Sequence, residues 1–350
     1  MVQHHNFNYN KEFRLESGRS LPEFDLFYST LGNLNENKDN VIWVCHAFSG
    51  SSNVTDWWPG LFGPGKLYDP ERHYIICVNM PGSCYGSTGP LTINPRTGKK
   101  YYHDFPQLTN RDMVYCFELL RQSLGIEKVH TLIGCSMGGQ QAIEWSIICP
   151  EVFEHLIAIG ANAQHSPWGI AFNETQRMAI ETDPTWSHQT DDAGVEGMKT
   201  ARATALLSYR HYAQYQKTQQ ETSDSNWDNF RAGSYQRYQG EKLVKRFNAF
   251  TYYLLSKAMD SQNVGRKRGG VIKALEKIKA KSLFVGIDKD ILFPTNEQKF
   301  LAEAVTNGYY EELQSDYGHD GFLLEFEKLA ASINNFYSKS KLKKIYAAKS

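Results

Sequence analysis

Residues 131–148 constrain the fold more than any other stretch of the sequence. An apolar run, 131–135, leads into the glycine-rich segment GCSMGG around Ser136, and the helix-like run QQAIEWSII follows. Glycines on both sides of a serine are needed where a strand turns into a helix so tightly that the hydroxyl projects above the edge of a sheet. A chance Gly-x-Ser-x-Gly is expected in about one chain of this length in ten. The prediction that Ser136 is a nucleophile therefore depends on the strand before this motif and the helix after it.

The rest of the chain supplies the strands and helices that such a turn requires. Buried parallel strands are predicted from short apolar runs that alternate with helical patterns, and these runs lie at 41–48, 74–78, 131–135, 156–160 and 282–287. Helical spacing of apolar residues occurs at 113–124 and at 322–337. The stretch 12–32 alternates around Ser17 and Gly18, which predicts an antiparallel hairpin at the sheet edge.

Between about 164 and 259 the composition changes. Strand-like runs disappear, and tyrosine, tryptophan and phenylalanine residues cluster among charged and amide residues. We interpret 164–259 as a helical cap inserted into a core made of 1–163 and 260–350. The predicted fold class is α/β, specifically an α/β-hydrolase fold: a mostly parallel sheet flanked by helices, with an inserted helical cap or lid.

A serine hydroxyl becomes a good nucleophile only when a base takes its proton, and a carboxylate must orient that base. In this fold the chain order is serine, acid, histidine. The carboxylates of the segment GIDKDILFP, 286–294, lie just beyond the last strong strand, and YGHDG, 317–321, follows a weaker strand at 309–313. We therefore predict Ser136, Asp290 and His319 as the catalytic residues. The alternative is that Asp290 is a turn residue and His319 a helix cap.

Acyl transfer through a tetrahedral intermediate also needs donors for its oxyanion. One is expected from the backbone N–H of Met137, next to the nucleophile, and the other from the loop after an earlier strand. The loop HAFSG, 46–50, has that position, and we select the Phe48 amide within it. A plain turn is the alternative.

Charge and cysteine usage exclude several partner classes. Lys plus Arg and Asp plus Glu are each 38, so no net field favours nucleic acid or a membrane surface. The six cysteines show no CxxC spacing, which favours buried reduced thiols and predicts no metal site. The N-terminus lacks a secretory signal pattern and no apolar run reaches 18 residues, so a cytoplasmic protein is expected.

With these motifs in place, nearly the whole chain resembles the homoserine O-acetyltransferases of methionine biosynthesis. The matching segments are 46–50 (HAFSG), 57–58 (WW) with 60–61 (GL) and 63–65 (GPG), 82–90 (GSCYGSTGP), 93–95 (INP), 104–106 (DFP), 134–145, 201–202 (AR), 207–210 (LSYR), 238–242 (YQGEK), Asp290 with 292–294 (LFP), and 318–320 (GHD). A generic esterase is not expected to share the cap segments or the run CYGSTGP.

This resemblance implies a two-step reaction in which Ser136 takes an acyl group from acetyl-CoA and passes it to the hydroxyl of L-homoserine. It further implies that Arg202 binds the amino-acid carboxylate, that Tyr209 assists and that Asp320 binds the ammonium group. The alternative for Arg202 is a surface helix charge, with Arg210 serving in its place. No cofactor is implied, since acyl-CoA is a substrate, and a homodimer formed through the cap helices is expected.

The sequence departs from the family pattern at several positions near the expected acyl tunnel or cap. Phe48 and Ser49 stand where leucine and threonine are usual, Gln140 stands where methionine is common, and 187–197 is short. These departures leave succinyl-CoA as an alternative donor and serine as an alternative acceptor. A carboxylic ester hydrolase would use the same three residues, and a catalytically silent binding protein is a further class to exclude.

Overall fold

The computed structural model describes residues 1–347. The strands in that range are β1 (Gln3–Tyr9), β2 (Phe13–Arg14), β3 (Ser20–Leu21), β4 (Phe24–Leu31), β5 (Val41–Cys45), β6 (Tyr74–Val78), β7 (Ile93–Asn94), β8 (Lys99–Lys100), β9 (Val129–Cys135), β10 (Phe153–Ile159), β11 (Lys281–Ile287) and β12 (Gly308–Leu313). The α-helices are α1 (Val54–Trp57), α2 (Asn110–Ser123), α3 (Met137–Ile148), α4 (Pro167–Glu181), α5 (Val195–Tyr209), α6 (Tyr212–Gln219), α7 (Arg231–Val244), α8 (Ala249–Asp260), α9 (Val271–Leu275), α10 (Thr295–Ala304) and α11 (Phe326–Ala347). Short 3-10 helices occupy Tyr102–Asp104 and Gly318–Leu323.

Eight strands form the central sheet in the order β1-β4-β6-β5-β9-β10-β11-β12. The pairs β1·β4 and β4·β6 are antiparallel and the other five pairs are parallel, so the predicted mostly parallel sheet is confirmed. The strand that precedes Ser136, β9, lies between β5 and β10. Ser136, the predicted nucleophile, therefore lies near the middle of the sheet, with the loops of neighbouring parallel strands beside it.

The central strands are apolar throughout because both faces of the sheet are covered. Within β9, Leu132 belongs to the core on the α2 and α3 side, whereas Ile133 belongs to the core packed against α1 and α11. The same alternation separates Leu156 from Ile157 in β10. Side chains of a strand point alternately to its two faces, so a continuous apolar run is what a doubly covered strand needs.

Each of the five predicted parallel-strand runs overlaps a strand, and the weaker strand near 309–313 is also present, as β12. The prediction for 12–32 was wrong in detail. β2 and β3 form a separate two-residue ribbon, and the edge of the main sheet is the antiparallel pair β1·β4. Polar residues dominate β1, which hid it from a hydrophobicity criterion, but its Tyr9 ring stacks on Phe24 of β4 at 5.0 Å.

Both predicted helices exist with shifted starts. α2 begins at Asn110 because Thr109 and Asp112 form a reciprocal capping box at its first turn. The helix expected from 322 begins at Phe326, since Gly318–Leu323 is a 3-10 turn that carries His319.

Helices α4 to α8 follow one another between β10 and β11, and the part of the chain between those two strands contains no strand. Among residues 1–347, no helix combines the length and the apolar character needed to cross a membrane.

Candidate active site

Ser136 sits on a strained turn between β9 and α3. Its backbone has φ 54° and ψ −126°, a conformation that is costly for a residue with a side chain and that is found mainly at functional sites. A Cβ atom on Gly134 would lie 2.2 Å from the Gly138 carbonyl oxygen, and one on Gly138 would lie 2.1 Å from the Cys45 carbonyl oxygen. Glycine is therefore required on both sides of the serine because helix α3 starts in direct contact with the β5 and β9 backbone.

The three residues predicted for catalysis meet at this turn. His319 Nε2 lies 2.9 Å from Ser136 Oγ, and His319 Nδ1 lies 2.6 Å from Asp290 Oδ2. All three side chains are buried, each with 5% or less of its surface exposed. Residues separated by 183 positions in the sequence are thus in hydrogen-bond contact, in the order that a proton relay from serine to histidine requires.

Asp290 is held in a fixed orientation. Its Oδ1 accepts hydrogen bonds from the backbone amides of Leu292, at 2.8 Å, and Phe293, at 2.9 Å. Its other oxygen is thereby directed at His319. The neighbouring carboxylate, Asp288, accepts instead from the Ser315 amide at 2.8 Å. The structure thus distinguishes between two acids that are only two residues apart.

The His319 ring is clamped by aromatic and backbone surfaces. Phe293 stacks on it with centroids 5.1 Å apart, and Phe322 meets it edge-on at 5.2 Å. Gly160 passes so close that a Cβ there would lie 3.2 Å from the His319 Cε1 atom. These contacts restrict the imidazole to the plane that joins Asp290 to Ser136.

The loop 46–50, which was predicted to hold the second oxyanion donor, lies against the start of α3. His46 Nδ1 bonds to the Ala47 carbonyl at 2.8 Å, and its Nε2 accepts a weaker bond from the Met80 amide at 3.4 Å. Burial lowers the pKa of His46 to about 4, so this ring is neutral at physiological pH and serves to hold the loop. The Phe48 side chain is buried and meets the Tyr252 ring edge-on at 4.9 Å.

Met137 is the other predicted donor. Its N–H is the first of helix α3, where a backbone amide has no carbonyl from a preceding turn to bond. The start of a helix also carries partial positive charge, which favours a developing oxyanion. The preceding residue, Cys135, is not a competing nucleophile, because burial raises the pKa of its thiol well above the ordinary value.

The residues predicted to bind the amino acid lie next to His319 or next to a residue that packs near it. The Tyr209 ring lies 5.8 Å from the His319 ring, and the Arg202 guanidinium lies 5.6 Å from the Tyr209 centroid. Asp320 Oδ2 pairs with Arg210 Nε at 2.9 Å. Arg210 was considered only as a substitute for Arg202, and the structure places it as the partner of Asp320.

Three side chains of the predicted cap, 164–259, bond directly to loops around Ser136 and His319. Trp168 Nε1 donates to the Ile291 carbonyl beside the acid at 2.8 Å. Arg246 donates to the Ser49 carbonyl in the loop 46–50 at 2.7 Å. Together with the Arg210–Asp320 pair, these contacts connect the segment 164–259 to the loop after β11, the loop 46–50 and the turn that carries His319.

Two further residues beside the site were missed by the sequence analysis. Tyr252 of α8 is fully buried against Phe48, and its hydroxyl donates to Gln176 at 2.6 Å. The pKa of Glu297 is raised to about 7, mainly by burial and also by nearby Asp290, although a hydrogen bond from Asn162 at 3.0 Å lowers it. No motif marks either residue, because each gains its place through packing between distant segments.

The fold and the site together define an α/β-hydrolase-fold enzyme with a serine, histidine and aspartate arrangement at the end of its central strands. The family model for the alpha/beta hydrolase fold matches residues 40–326. Among curated proteins, the homoserine O-acetyltransferase of Cyclobacterium marinum is 51% identical over 323 residues, with 92% of each chain covered. That of Chlorobium chlorochromatii is 42% identical over 335 residues, with 94% of each chain covered. The chain belongs to the homoserine O-acetyltransferase family.

Solved structures agree on the fold. A homoserine O-acetyltransferase from Staphylococcus aureus has a TM-score of 0.80 and 28% identity, covering 96% of this chain and 95% of its own. Esterase E22 has a TM-score of 0.87 and 27% identity, covering 96% of this chain and 100% of its own. The same scaffold therefore occurs in proteins named for acyl transfer and in proteins named for ester hydrolysis.

Proposed function

We propose that this protein is an acyl-CoA-dependent O-acyltransferase that moves the acetyl group of acetyl-CoA to the side-chain hydroxyl of L-homoserine. The observation that carries the proposal is the contact of His319 Nε2 with Ser136 Oγ at 2.9 Å, in a chain 51% identical to a protein named homoserine O-acetyltransferase. No cofactor is needed, because acyl-CoA is a substrate and the three side chains supply the proton transfers.

In the first step, His319 takes the proton of Ser136 as the serine oxygen attacks the thioester carbonyl. The tetrahedral oxyanion is stabilised by the Phe48 and Met137 amides. When the intermediate collapses, the carbon–sulfur bond breaks and CoA leaves as a thiol with the proton from His319. The product is an ester on Ser136, and Asp290 stabilises the transient imidazolium throughout.

In the second step, the homoserine hydroxyl takes the place of the thiol. His319 removes the hydroxyl proton, the oxygen attacks the serine ester, and a second tetrahedral oxyanion forms at the same donors. Collapse breaks the bond to Ser136 Oγ, which recovers its proton from His319. The free enzyme and O-acetyl-L-homoserine result, so the two substrates react in turn at one serine.

The acceptor is oriented by the charges above His319. The Arg202 guanidinium can bind a carboxylate with two parallel hydrogen bonds, and the Tyr209 ring packs near both Arg202 and the His319 ring. Asp320 directly follows His319 in the chain, and its contact with Arg210 uses Oδ2, so the second carboxylate oxygen is assigned to the substrate ammonium. Holding both ends of the amino acid brings its hydroxyl to the base.

Transfer must outcompete hydrolysis, since water can attack the same ester. We propose that the segment 164–259 acts as a cap that limits water at the site, supported by its bonds to all three active-site loops. The ester on Ser136 then persists until a positioned acceptor arrives.

The proposal is tested by measuring release of the CoA thiol with a thiol reagent. Acetyl-CoA is mixed with the protein alone, with the protein and L-homoserine, and with the protein and L-serine. Steady turnover is expected only with homoserine. Without an acceptor, intact-mass spectrometry is expected to show one acetyl group on the wild-type protein and none on Ser136→Ala. Succinyl-CoA in a parallel reaction separates the two donors.

The structural similarity to esterase E22 makes hydrolysis the specific competitor. Thioester cleavage at the same rate with and without either amino acid would establish a hydrolase and overturn the transferase proposal. Preference for serine or for succinyl-CoA would keep the mechanism and change the substrate. No acyl adduct with any donor would favour a silent binding protein.

We further propose a homodimer formed through the cap. Several large apolar side chains of this region are exposed by 48% or more, more than an isolated surface favours: Leu207, Tyr212, Trp227, Phe230 and Tyr238. Sedimentation of the wild-type protein and of Trp227→Ser tests this, and a monomeric wild type would refute it. A cytoplasmic location is also proposed, supported by the six free cysteines, of which four are buried.

A further inference from the structure

A cluster of metal-ligating side chains lies at the amino end of the central strands. His130 is the second residue of β9, and Glu154 and His155 are the second and third residues of the neighbouring β10. Ser136 follows the carboxyl end of β9, six residues further on, which corresponds to roughly 20 Å along a strand. The cluster is therefore separate from the active site.

The three side chains converge on one point. One potential ligand atom from each of His130, Glu154 and His155 lies within 4.8 Å of the others. The two imidazole rings have centroids 5.0 Å apart, and a third ring, that of His73, lies 6.4 Å from His130. All four side chains line the same cavity, of about 670 Å³, so an ion has room to enter.

The hydrogen bond made by His155 suits a metal ligand. His155 Nδ1 bonds to the His130 carbonyl oxygen at 3.0 Å. A carbonyl can only accept, so Nδ1 carries the hydrogen and Nε2 carries the lone pair. Zinc binds a neutral imidazole through such a lone pair.

We propose that His130, Glu154 and His155 form a zinc-binding site that links β9 to β10 at the end of the sheet opposite the active site. Two imidazoles and one carboxylate, with water as the fourth ligand, are a set that zinc accepts in tetrahedral geometry. Zinc distances of about 2.0–2.2 Å place ligand atoms about 3.3 Å apart. The cluster must therefore contract, and the exposed Glu154 and half-buried His130 are the side chains able to move.

The cavity also contains an opposing charge. Lys281 of β11 lines it and repels a cation, while the Glu154 carboxylate attracts one. Because Lys281 repels a cation, the proposal requires that Glu154 bind the zinc ion directly and not only lie near it. Spacing in the sequence did not reveal the site, because its ligands come from two strands whose starts are more than twenty residues apart.

Equilibrium dialysis of the full, tag-free protein against zinc chloride tests the proposal, with bound metal measured by atomic emission. One zinc per chain is expected. His130→Gln and Glu154→Gln are each expected to weaken binding at least about tenfold, as loss of a contact to the metal does. Both positions are partly exposed, so these variants are expected to fold. His188→Gln, at an exposed cap histidine, is the matched control and is expected to bind zinc like the wild type.

The variant His319→Gln tests whether zinc binds at the active site instead, because His319 is another potential zinc ligand. We expect that variant to retain zinc. We also expect zinc to raise the melting temperature of the wild type but not that of Glu154→Gln. The proposal is overturned if the wild type binds no zinc, if His130→Gln and Glu154→Gln bind it unchanged, or if His319→Gln alone abolishes binding.

Discussion

Replacing Asp290 by asparagine tests how the site prepares its base. Oδ1 of Asp290 accepts from two backbone amides, so the oxygen of an asparagine must occupy that position. The NH₂ group then faces His319 Nδ1, where Oδ2 now lies 2.6 Å away. Two donors cannot bond to each other, so the imidazole must carry its hydrogen on Nε2. That nitrogen then faces Ser136 Oγ without a lone pair and cannot take its proton.

The expected consequence is a large loss of rate with little change in structure. A histidine held in the wrong tautomer costs about 10⁴ in kcat, which corresponds to about 5.5 kcal/mol in activation free energy. Stopped-flow mixing with acetyl-CoA measures the acylation step, and thermal unfolding checks that the variant folds.

Asp288→Asn is the matched control, since that carboxylate accepts from the Ser315 amide and does not contact His319. We expect it to acylate within a fewfold of the wild type. If Asp290→Asn is slowed no more than this control, the tautomer argument is wrong.

Further predictions concern packing, pH and the acceptor site. Gly138→Ala forces a methyl group to 2.1 Å from the Cys45 oxygen and is expected to lower the free energy of unfolding in urea by about 1–3 kcal/mol. Gly233→Ala, in α7 with open space around it, is the control and is expected to raise it by up to about 1 kcal/mol. The pKa of Glu297 is raised from 4.5 to about 7, so the unfolded chain loses the Glu297 proton at a lower pH than the folded chain does. The contribution of Glu297 to the free energy of unfolding therefore falls as pH rises from 4.5 to about 7. The urea midpoint of Glu297→Gln is expected to lack that fall. Arg210→Gln removes the partner of Asp320 and is expected to raise the KM for homoserine roughly fivefold, the equivalent of about 1 kcal/mol, without slowing acylation by acetyl-CoA.

Each of these predictions has a contrary result. Equal stability of Gly138→Ala and Gly233→Ala would contradict the close approach of α3 to β5. If the urea midpoint of Glu297→Gln changes with pH as the wild-type midpoint does, ionisation of Glu297 is not the cause of that change. A homoserine KM unchanged by Arg210→Gln would show that Asp320 needs no help to hold its position.

Much of the site could be predicted because its parts are local. The turn around Ser136 needs a strand, small residues and a helix within a short stretch, and sequence patterns of that length are informative. The acid and the histidine each follow a strand, and their order in this fold is fixed by the course of the chain. These regularities depend on neighbouring residues, so the sequence alone was sufficient to propose them.

The edge of the sheet was harder to predict, for a physical reason. β1 contributes backbone hydrogen bonds to β4 and exposes most of its side chains, so its sequence carries little hydrophobic signal. Likewise, the 3-10 turn that carries His319 ends where α11 begins, and apolar spacing does not distinguish the two.

The sequence by itself determined the class of fold, the nucleophile turn and the candidates for acid and base, because these follow from short-range periodicity and chain order. Only the tertiary structure decided which carboxylate faces His319, that Arg210 holds Asp320, and that two strand starts bring His130 to His155. Such pairings depend on distances between segments far apart in the chain, and those distances are set by the packing of the whole molecule.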